Sequence, residues 1–451
     1  TNFDMGVSPK TYTLLGASIF FFVFWTGFWF VHLMAIFHGR FKFHRKPVSL
    51  VRETPLPGVS IIKPLLGVDQ NLFGNLETFF TLDYPFYELL FCIKDESDPV
   101  IMLVNSLIEK YPHIDAKVFI GGEKVGVNPK INNMQPGYKA AKYELVMISD
   151  SGIRMKEDTL LDMVDHMTDR VGLVHQMPFV CDREGFPSVL EKVYFGTAHA
   201  RIYLAADLVR SNCCTGMSTL MRKSILEAEG GIQAFGCYLA EDYFFAKAVL
   251  NQGYRLRVSS QPAWQNSGVC DIDQFKARTT RWAQLRIAMI PILMVVEPLS
   301  ECLVLGLNAA WATSYLFNWD PIAFYLTHVL IWFLLDWTLL CIVQVCTPDN
   351  SLSALCTKFH LYYLKFTSTF HAVFTLSGSL ICEIVAYAIC RYSALVKDKN
   401  VLVLLLASLN CLDKCKNYDL ISLVAFCVFQ GNPICYYPSH ENDHNSKIIC
   451  P

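Results

Sequence analysis

The chain has 451 residues, enough for one sizeable α/β domain together with membrane segments. Hydrophobic residues make up 53% and charged residues only 17%, against about 25% charged in ordinary soluble domains, which argues against a conventional soluble protein. A net charge of −2 gives no global basis for binding nucleic acid.

The sequence begins at Thr1, which reads as a fragment or a processed end, and residues 1–11 are expected to form a non-cytosolic segment. Residues 12–37 are apolar and carry no formal charge. They exceed the roughly 20 residues that a spanning helix needs. A signal peptide would have a shorter apolar core of about 7–15 residues, followed by a small-residue cleavage site. Lys10 precedes the stretch, whereas Arg40, Lys42, Arg45, Lys46 and Arg52 follow it. The positive-inside rule therefore puts the domain expected over 38–286 in the cytosol.

Within that domain, apolar runs alternate with helical periodicity. VSIIK (59–63) reads as a strand stopped by Pro64, and Asp69 as the N-cap of a helix carrying Leu72, Leu76, Phe79 and Phe80. Strands are predicted at 88–94, 116–120, 144–149 and 171–176, and helices over 99–110, 131–142 and 157–169. This alternation predicts an α/β fold with a mostly parallel sheet covered on both faces. Ligands of such sheets bind beyond the carboxyl ends of the strands.

Membrane-like sequence returns over 287–345. Its stretches 287–317 and 321–345 are each long enough to span, but they contain Glu297, Glu301 and Asp336, which are costly in lipid unless paired. Pro291 and Pro298 suggest that the first stretch re-enters or lies in the interface. Residues 346–451 form an apolar, cysteine-rich tail. Ten of the 17 cysteines lie from Cys341 onward and none forms a CxxC pair, so buried free thiols are expected rather than a disulfide framework.

Three acidic sites stand out: Asp95 to Asp98 after the second strand, Asp150 at the end of the fourth, and Glu241-Asp242 where helical sequence begins. Taken singly, each has an ordinary reading, since Asp caps helices and starts turns. Two of them fall at strand ends of one sheet, which favours a site. Helical spacing puts Arg278, Arg281 and Trp282 on one face. That face suits either a membrane interface or a guanidinium fork on a diphosphate. GGEKVGVNPK (121–130) does not fit a phosphate-binding P-loop, although it could still line a nucleotide pocket.

LPGVSIIKPLLGVDQNL (56–72), GVNPKINNMQPGY (126–138), SDSGIR (149–154), GTAHAR (196–201), CCTGMSTLMRK (213–223), AEDYFFAKA (240–248) and RTTRW (278–282) resemble the ceramide glucosyltransferase family, membrane enzymes of the GT-A fold. The resemblance covers about residues 11–345. Its three aspartates fall on Asp98, with Asp95 as a second candidate, on Asp150 and on Asp242; its Arg/Gln-x-x-Arg-Trp motif falls on Arg278, Arg281 and Trp282. It implies nucleotide recognition at Asp98 or Asp95, Mg²⁺ or Mn²⁺ on the UDP diphosphate near Asp150, and Asp242 as general base. It implies a histidine near the active site at His199 and a thiol-reagent-sensitive cysteine at Cys213. The implied partners are UDP-glucose, ceramide and the lipid bilayer, and the implied location is the Golgi membrane, facing the cytosol. After about Val345 the family's basic, tryptophan-containing ending is replaced, as an alternative exon, a faulty gene model or lineage-specific sequence would do.

Two other readings compete. A polysaccharide synthase or dolichyl-phosphate sugar transferase would share the fold and some acidic residues, but a processive synthase calls for more spans and a translocation channel, whereas here one anchor precedes the domain. A non-enzymatic relative would be marked by a lost carboxylate or arginine, and every motif position here is filled.

Overall fold

A computed structural model of the chain describes residues 9–43, 55–181, 186–211, 213–268 and 271–344. The expected tail over 346–451, and Arg45, Lys46 and Arg52, lie outside these residues. The described chain divides into two compact units, one holding residues 9–275 and 300–344 and the other residues 276–299.

The first unit begins with α1 (Pro9–Lys42), followed by β1 (Val59–Leu65), α2 (Leu72–Phe80), β2 (Tyr87–Ile93), α3 (Val100–Lys110) and β3 (Asp115–Ile120). It continues with α4 (Pro129–Ala140), β4 (Leu145–Ser149), β5 (Ile153–Arg154), α5 (Thr159–His166), β6 (Val171–His175) and β7 (Pro178–Val180). Next come α6 (Phe186–Tyr194), a five-residue π-helical turn (Phe195–His199), α7 (Ala200–Val209), β8 (Ser218–Arg222) and α8 (Lys223–Ala228). A 3₁₀ turn (Ile232–Phe235), α9 (Glu241–Asn251), β9 (Arg255–Val258) and β10 (Ala263–Gln265) complete the domain.

Seven strands form the main sheet in the order β3-β2-β1-β4-β8-β6-β9. All neighbours run parallel except β8, which is antiparallel to both β4 and β6. β2 (YELLFCI) and β4 (LVMIS) are buried along their whole length, as strands covered on both faces must be. Side chains alternate between two apolar layers. Ile61, Leu89 and Phe91 join Leu76, Phe79 and Val104 on one face, and Ile62, Leu90 and Cys92 join Ile131, Met134 and Phe245 on the other. The three short strands β5, β10 and β7 make a separate sheet.

Two local expectations are corrected. Pro64 does not stop β1, which runs on to Leu65. Pairing with β4 covers only Val59 to Ile62, so Pro64 falls where β1 has β2 alone beside it, and the missing N–H costs little. Asp69 is not the cap of α2, because the N-cap position is Asn71. Asp69 instead accepts the Asn71 N–H at 2.8 Å, making a turn two residues upstream of the helix.

After the domain come α10 (Ile272–Met289), α11 (Leu293–Ser300), α12 (Cys302–Phe317) and α13 (Pro321–Gln344). Among the described residues, the helices at Lys10–Lys42 and Pro321–Gln344 are long and apolar enough to cross a membrane, each with a mean hydropathy of 2.0. The stretch 287–317 is broken near Pro291 and again at Glu301, so it forms no single long helix. In the first unit α1 packs on α7, α12 and α13. Trp25 and Trp29 both donate to His328 Nδ1, at 3.1 and 3.2 Å, and His328 Nε2 lies 3.0 Å from the Cys302 carbonyl. Asp336 is paired: Arg201 of α7 lies 3.0 Å from its carboxylate and His32 lies 3.2 Å from it. In the second unit Glu297 takes a two-pronged contact from Arg286, at 2.8 and 3.2 Å. The acidic residues at 297 and 336 therefore meet the pairing condition that lipid imposes.

Asp207 joins the α/β domain to the C-terminal end of α1. Its side chain is 1% exposed and meets His38 at 2.7 Å, Lys42 at 3.8 Å, Arg257 at 3.6 Å and the Val258 N–H at 3.0 Å. Burial alone would push this carboxyl up, but the four partners outweigh burial and hold it well below the usual carboxylate range. The stability it adds is present above about pH 4 and lost as acid protonates the folded state. Asp207→Ala, which strands buried cations, should destabilise the protein by about 3–5 kcal/mol, read as a lower midpoint of thermal inactivation in detergent.

Candidate active site

β1 lies between β2, with β3 beyond it, and β4, so the chain reverses its direction of travel across the sheet at the β1/β4 boundary. That is where an open α/β sheet offers a crevice beyond its strand ends. Asp150 follows β4 directly, and its N–H is held by the Met217 carbonyl at 2.9 Å. Lys63 of β1 is fully buried below it. Its Nζ donates to the Asp150 carbonyl at 2.8 Å and to Ser149 Oγ at 3.2 Å, and lies 3.8 Å from the centre of the Phe79 ring. Burial pushes the Lys63 amine down to about 7, against the opposing pull of Asp150.

Asp242 stands in the first turn of α9, where a carboxylate is favoured by the helix dipole. Its Oδ2 accepts the Gly216 N–H and its Oδ1 the Tyr243 N–H, both at 2.8 Å. Burial and the adjacent Glu241 raise its pKa to about 6, while Lys130 and the two N–H donors pull the other way.

Between Asp150 and the start of α9 stands Lys130, in the first turn of α4. Its Nζ reaches Asp150 Oδ1 at 2.8 Å, the Gly216 carbonyl at 3.0 Å and Glu241 Oε1 at 3.2 Å. Asn128 aims it. Its Oδ1 caps α4 by accepting the Lys130 and Ile131 N–H groups, and its Nδ2 donates to Glu241 Oε2 at 2.9 Å. The loop before it is tight: a Cβ on Gly126 would lie 2.2 Å from the Gly236 carbonyl oxygen.

The other predicted residues fall as follows. Asp98 is almost buried, with Oδ2 taking the Gly67 N–H at 2.8 Å and Oδ1 the Val100 N–H at 3.0 Å. It thus holds the turn after β1 against the start of α3, and its remaining lone pairs are its capacity for a ligand. Asp95 is exposed and bonds Ser97. His199 ends the π-helical turn and packs on Tyr203, with ring centres 4.6 Å apart. The Tyr203 hydroxyl donates to the Cys214 carbonyl at 3.1 Å, two residues before Gly216. Cys213 lies in that same segment, partly buried. Asp150, Asp242, His199 and Cys213 are thereby linked through one short stretch of chain. Arg278, Arg281 and Trp282 belong to the second unit, where the Arg278 guanidinium lies 5.2 Å from the centre of the Trp282 ring. A surface cleft of about 420 Å³ beside α2, lined by Glu77, Thr78, Tyr111 and Arg154, contains none of these residues.

Sequence reasoning passed over Lys63, Lys130, Asn128 and Tyr203. A signal existed for two of them: Asn before Pro-Lys is a helix cap followed by the favoured first-turn proline, and it aims the next side chain. Among the described residues no cluster of three metal-binding side chains occurs. Asp150, 39% exposed, nevertheless fits Mg²⁺ or Mn²⁺ of the kind held by one carboxylate plus phosphate oxygens and water.

Residues 27–370 match glycosyl transferase family 21. Ceramide glucosyltransferase 3 of Caenorhabditis elegans is 45% identical over 330 residues, covering 73% of this chain and 71% of its own. Ceramide glucosyltransferase 1 of the same organism is 46% identical over 316 residues, covering 70% and 67%. Among solved structures, the mannosyltransferase PcManGT from Pyrobaculum calidifontis, in complex with GDP-Man and Mn²⁺, is 17% identical with a TM-score of 0.48, covering 82% of this chain and 98% of its own.

Asn128→Ala should cost about 1–2 kcal/mol through the lost cap of α4. A thermal denaturation series checks this, with Asn128→Asp keeping the cap but facing Glu241 with a second negative charge. The Asp variant should therefore also lose stability as pH rises through the carboxylate range.

Proposed function

The chain belongs to glycosyl transferase family 21, and on that premise we propose that it transfers glucose from UDP-glucose to the primary hydroxyl of ceramide with inversion, releasing UDP and β-glucosylceramide. The observation that carries this reading is the convergence of Asp150, beyond β4, and Asp242, at the start of α9, around Lys130, which pairs with Asp150 and with the neighbouring Glu241 and meets the Gly216 carbonyl whose N–H holds Asp242.

In this mechanism Asp242 takes the proton of the acceptor hydroxyl as its oxygen attacks the anomeric carbon from the face opposite UDP. The bond from that carbon to the diphosphate oxygen breaks, and its electron pair leaves with UDP. A carboxyl with a pKa of about 6 is ionised at cytosolic pH yet more basic than an ordinary aspartate. The Gly216 and Tyr243 N–H groups fix its orientation. Asp150 would hold the divalent cation, whose charge would offset the charge developing on the diphosphate. By the family's motif pattern, Asp98, or Asp95 beside it, is assigned to the nucleotide, Arg278 and Arg281 to the diphosphate and Trp282 to the acceptor. His199 and Tyr203 form an aromatic wall on the acceptor side, with Cys213 at its margin. α1 and α13 keep the site at the bilayer, so the ceramide chains need not enter water. The catalytic domain faces the cytosol at the Golgi membrane, on the side marked by Arg40 and Lys42.

Membranes containing the chain, given labelled UDP-glucose and a short-chain ceramide, should form labelled β-glucosylceramide. Absence of product from inserted protein would overturn the proposal. Asp242→Asn should reduce kcat by on the order of 10²–10⁴-fold. In the wild type, kcat/KM should fall as pH drops through about 6, because the base is lost as Asp242 takes up a proton.

A further inference from the structure

Two adjacent carboxylates open α9, and a third stands beyond β4, yet among the described residues one side-chain cation, Lys130, is recorded acting on all three. An ammonium has three protons to donate. Those of Lys130 meet Asp150 Oδ1, the Gly216 carbonyl and Glu241 Oε1, at 2.8, 3.0 and 3.2 Å. Gly216 passes the constraint on, since its own N–H holds Asp242 Oδ2 at 2.8 Å. Glu241 is held at both oxygens, by Lys130 and by Asn128 Nδ2. Among the described residues, Asp242 is held only by the backbone N–H groups of Gly216 and Tyr243, so of the two neighbours Glu241 carries the ion pair to Lys130 and Asp242 is the more basic carboxylate.

We propose that Lys130 is a positioning residue that ties the donor end of the site to its acceptor end, fixing Asp150 and Asp242 relative to each other and occupying Glu241 so that Asp242 alone works as the base; this rests on the glucosyl-transfer reading above. The length of its side chain sets the spacing between the two ends. Its rigidity comes from the backbone, because Asn128 caps the helix turn from which Lys130 projects and Pro129 begins that turn.

Electrostatics points the same way. Besides the Gly216 and Tyr243 N–H groups, the titratable side chains acting on Asp242 include Glu241 on its own helix, Lys130 on α4, Cys214 before β8 and Tyr203 on α7. Burial raises the Cys214 thiol and the Tyr203 phenol well above their ordinary values, so both stay neutral. Partial burial would lower the Lys130 amine, but Asp150 and Glu241 outweigh it and keep Lys130 charged. Lys130 is thus the counter-charge to Glu241 and opposes the rise in the Asp242 pKa.

The test compares wild type, Lys130→Gln and Lys130→Arg in membranes, with inserted protein quantified. It measures kcat, KM for UDP-glucose and the pH profile of kcat/KM. Lys130→Gln keeps a polar side chain but no charge. It should lower kcat by about 10²-fold, the effect of a small misplacement of reacting groups, and move the acid limb of the profile to higher pH. Lys130→Arg should return the limb to its wild-type position and recover part of kcat. An unchanged kcat and limb in Lys130→Gln would overturn the inference. A loss of inserted enzyme alone, with kcat and the limb unmoved, would show a merely structural role and overturn it equally. If Lys130→Gln fails to insert, Lys130→Arg decides: a displaced limb there would sink the proposal, and a limb in place with reduced kcat supports it. Absence of product from wild-type membranes would overturn the transfer reading itself, and the inference with it.

Discussion

The parallel pairing of β1 with β2 on one side and β4 on the other governs where everything else can stand. A strand with parallel neighbours on both sides is covered above and below, so its side chains are apolar or, like Lys63, held by polar partners, and open chemistry is displaced to its end. Chain that leaves β1 toward β2 and returns at β4 opens a crevice between the two ends. Asp150 is the first residue past β4, so its position follows from the sheet and not from a flexible loop. β8, entering antiparallel beside β4, brings the Gly216 turn alongside, and α9 then delivers Asp242 to the same place.

Charge is arranged economically around that crevice. Lys63 lies under the Asp150 backbone, in contact with an aromatic ring and two oxygens, and Lys130 stands over the Asp150 side chain. Removing a lone carboxylate from water is costly, and each of these lysines also requires its oxygen partners in order to be buried. The domain and α1 obey the same rule at Asp207, and α7 and α13 obey it at Arg201 and Asp336. The chain therefore crosses from aqueous domain to apolar helix through paired charges instead of an uncharged seam.

Much of this was legible in the sequence because it was local. β-branched runs marked the buried strands, and Asp150 could be placed at a strand end from ELVMIS followed by Asp-Ser-Gly. Strand ends near Pro64 and caps near Asp69 were misjudged, because pairing partners and turn geometry decide them, and neither is written in adjacent residues. Lys130 was invisible for a stronger reason. Its partners are 20, 86 and 111 residues away in sequence, and an isolated lysine in a helix turn ordinarily points to solvent. Tyr203 was missed likewise, since its hydroxyl partner Cys214 lies beyond the end of its helix.

The π-helical turn at Phe195–His199 joins α6 to α7 in one continuous helical run. A wider turn inserts an extra residue's worth of arc, which sets the angular phase of everything after it. In that phase Tyr203 points to the Cys214 segment while Arg201, two positions earlier, points to Asp336. One helix thus serves the reaction crevice with one edge and the membrane helices with the other. Deleting a single residue from the turn would rotate α7 by about 100°, and both edges would face the wrong neighbour at once. The Tyr203 contact and the Arg201 tie are in this sense geared together: neither can be re-aimed without turning the other.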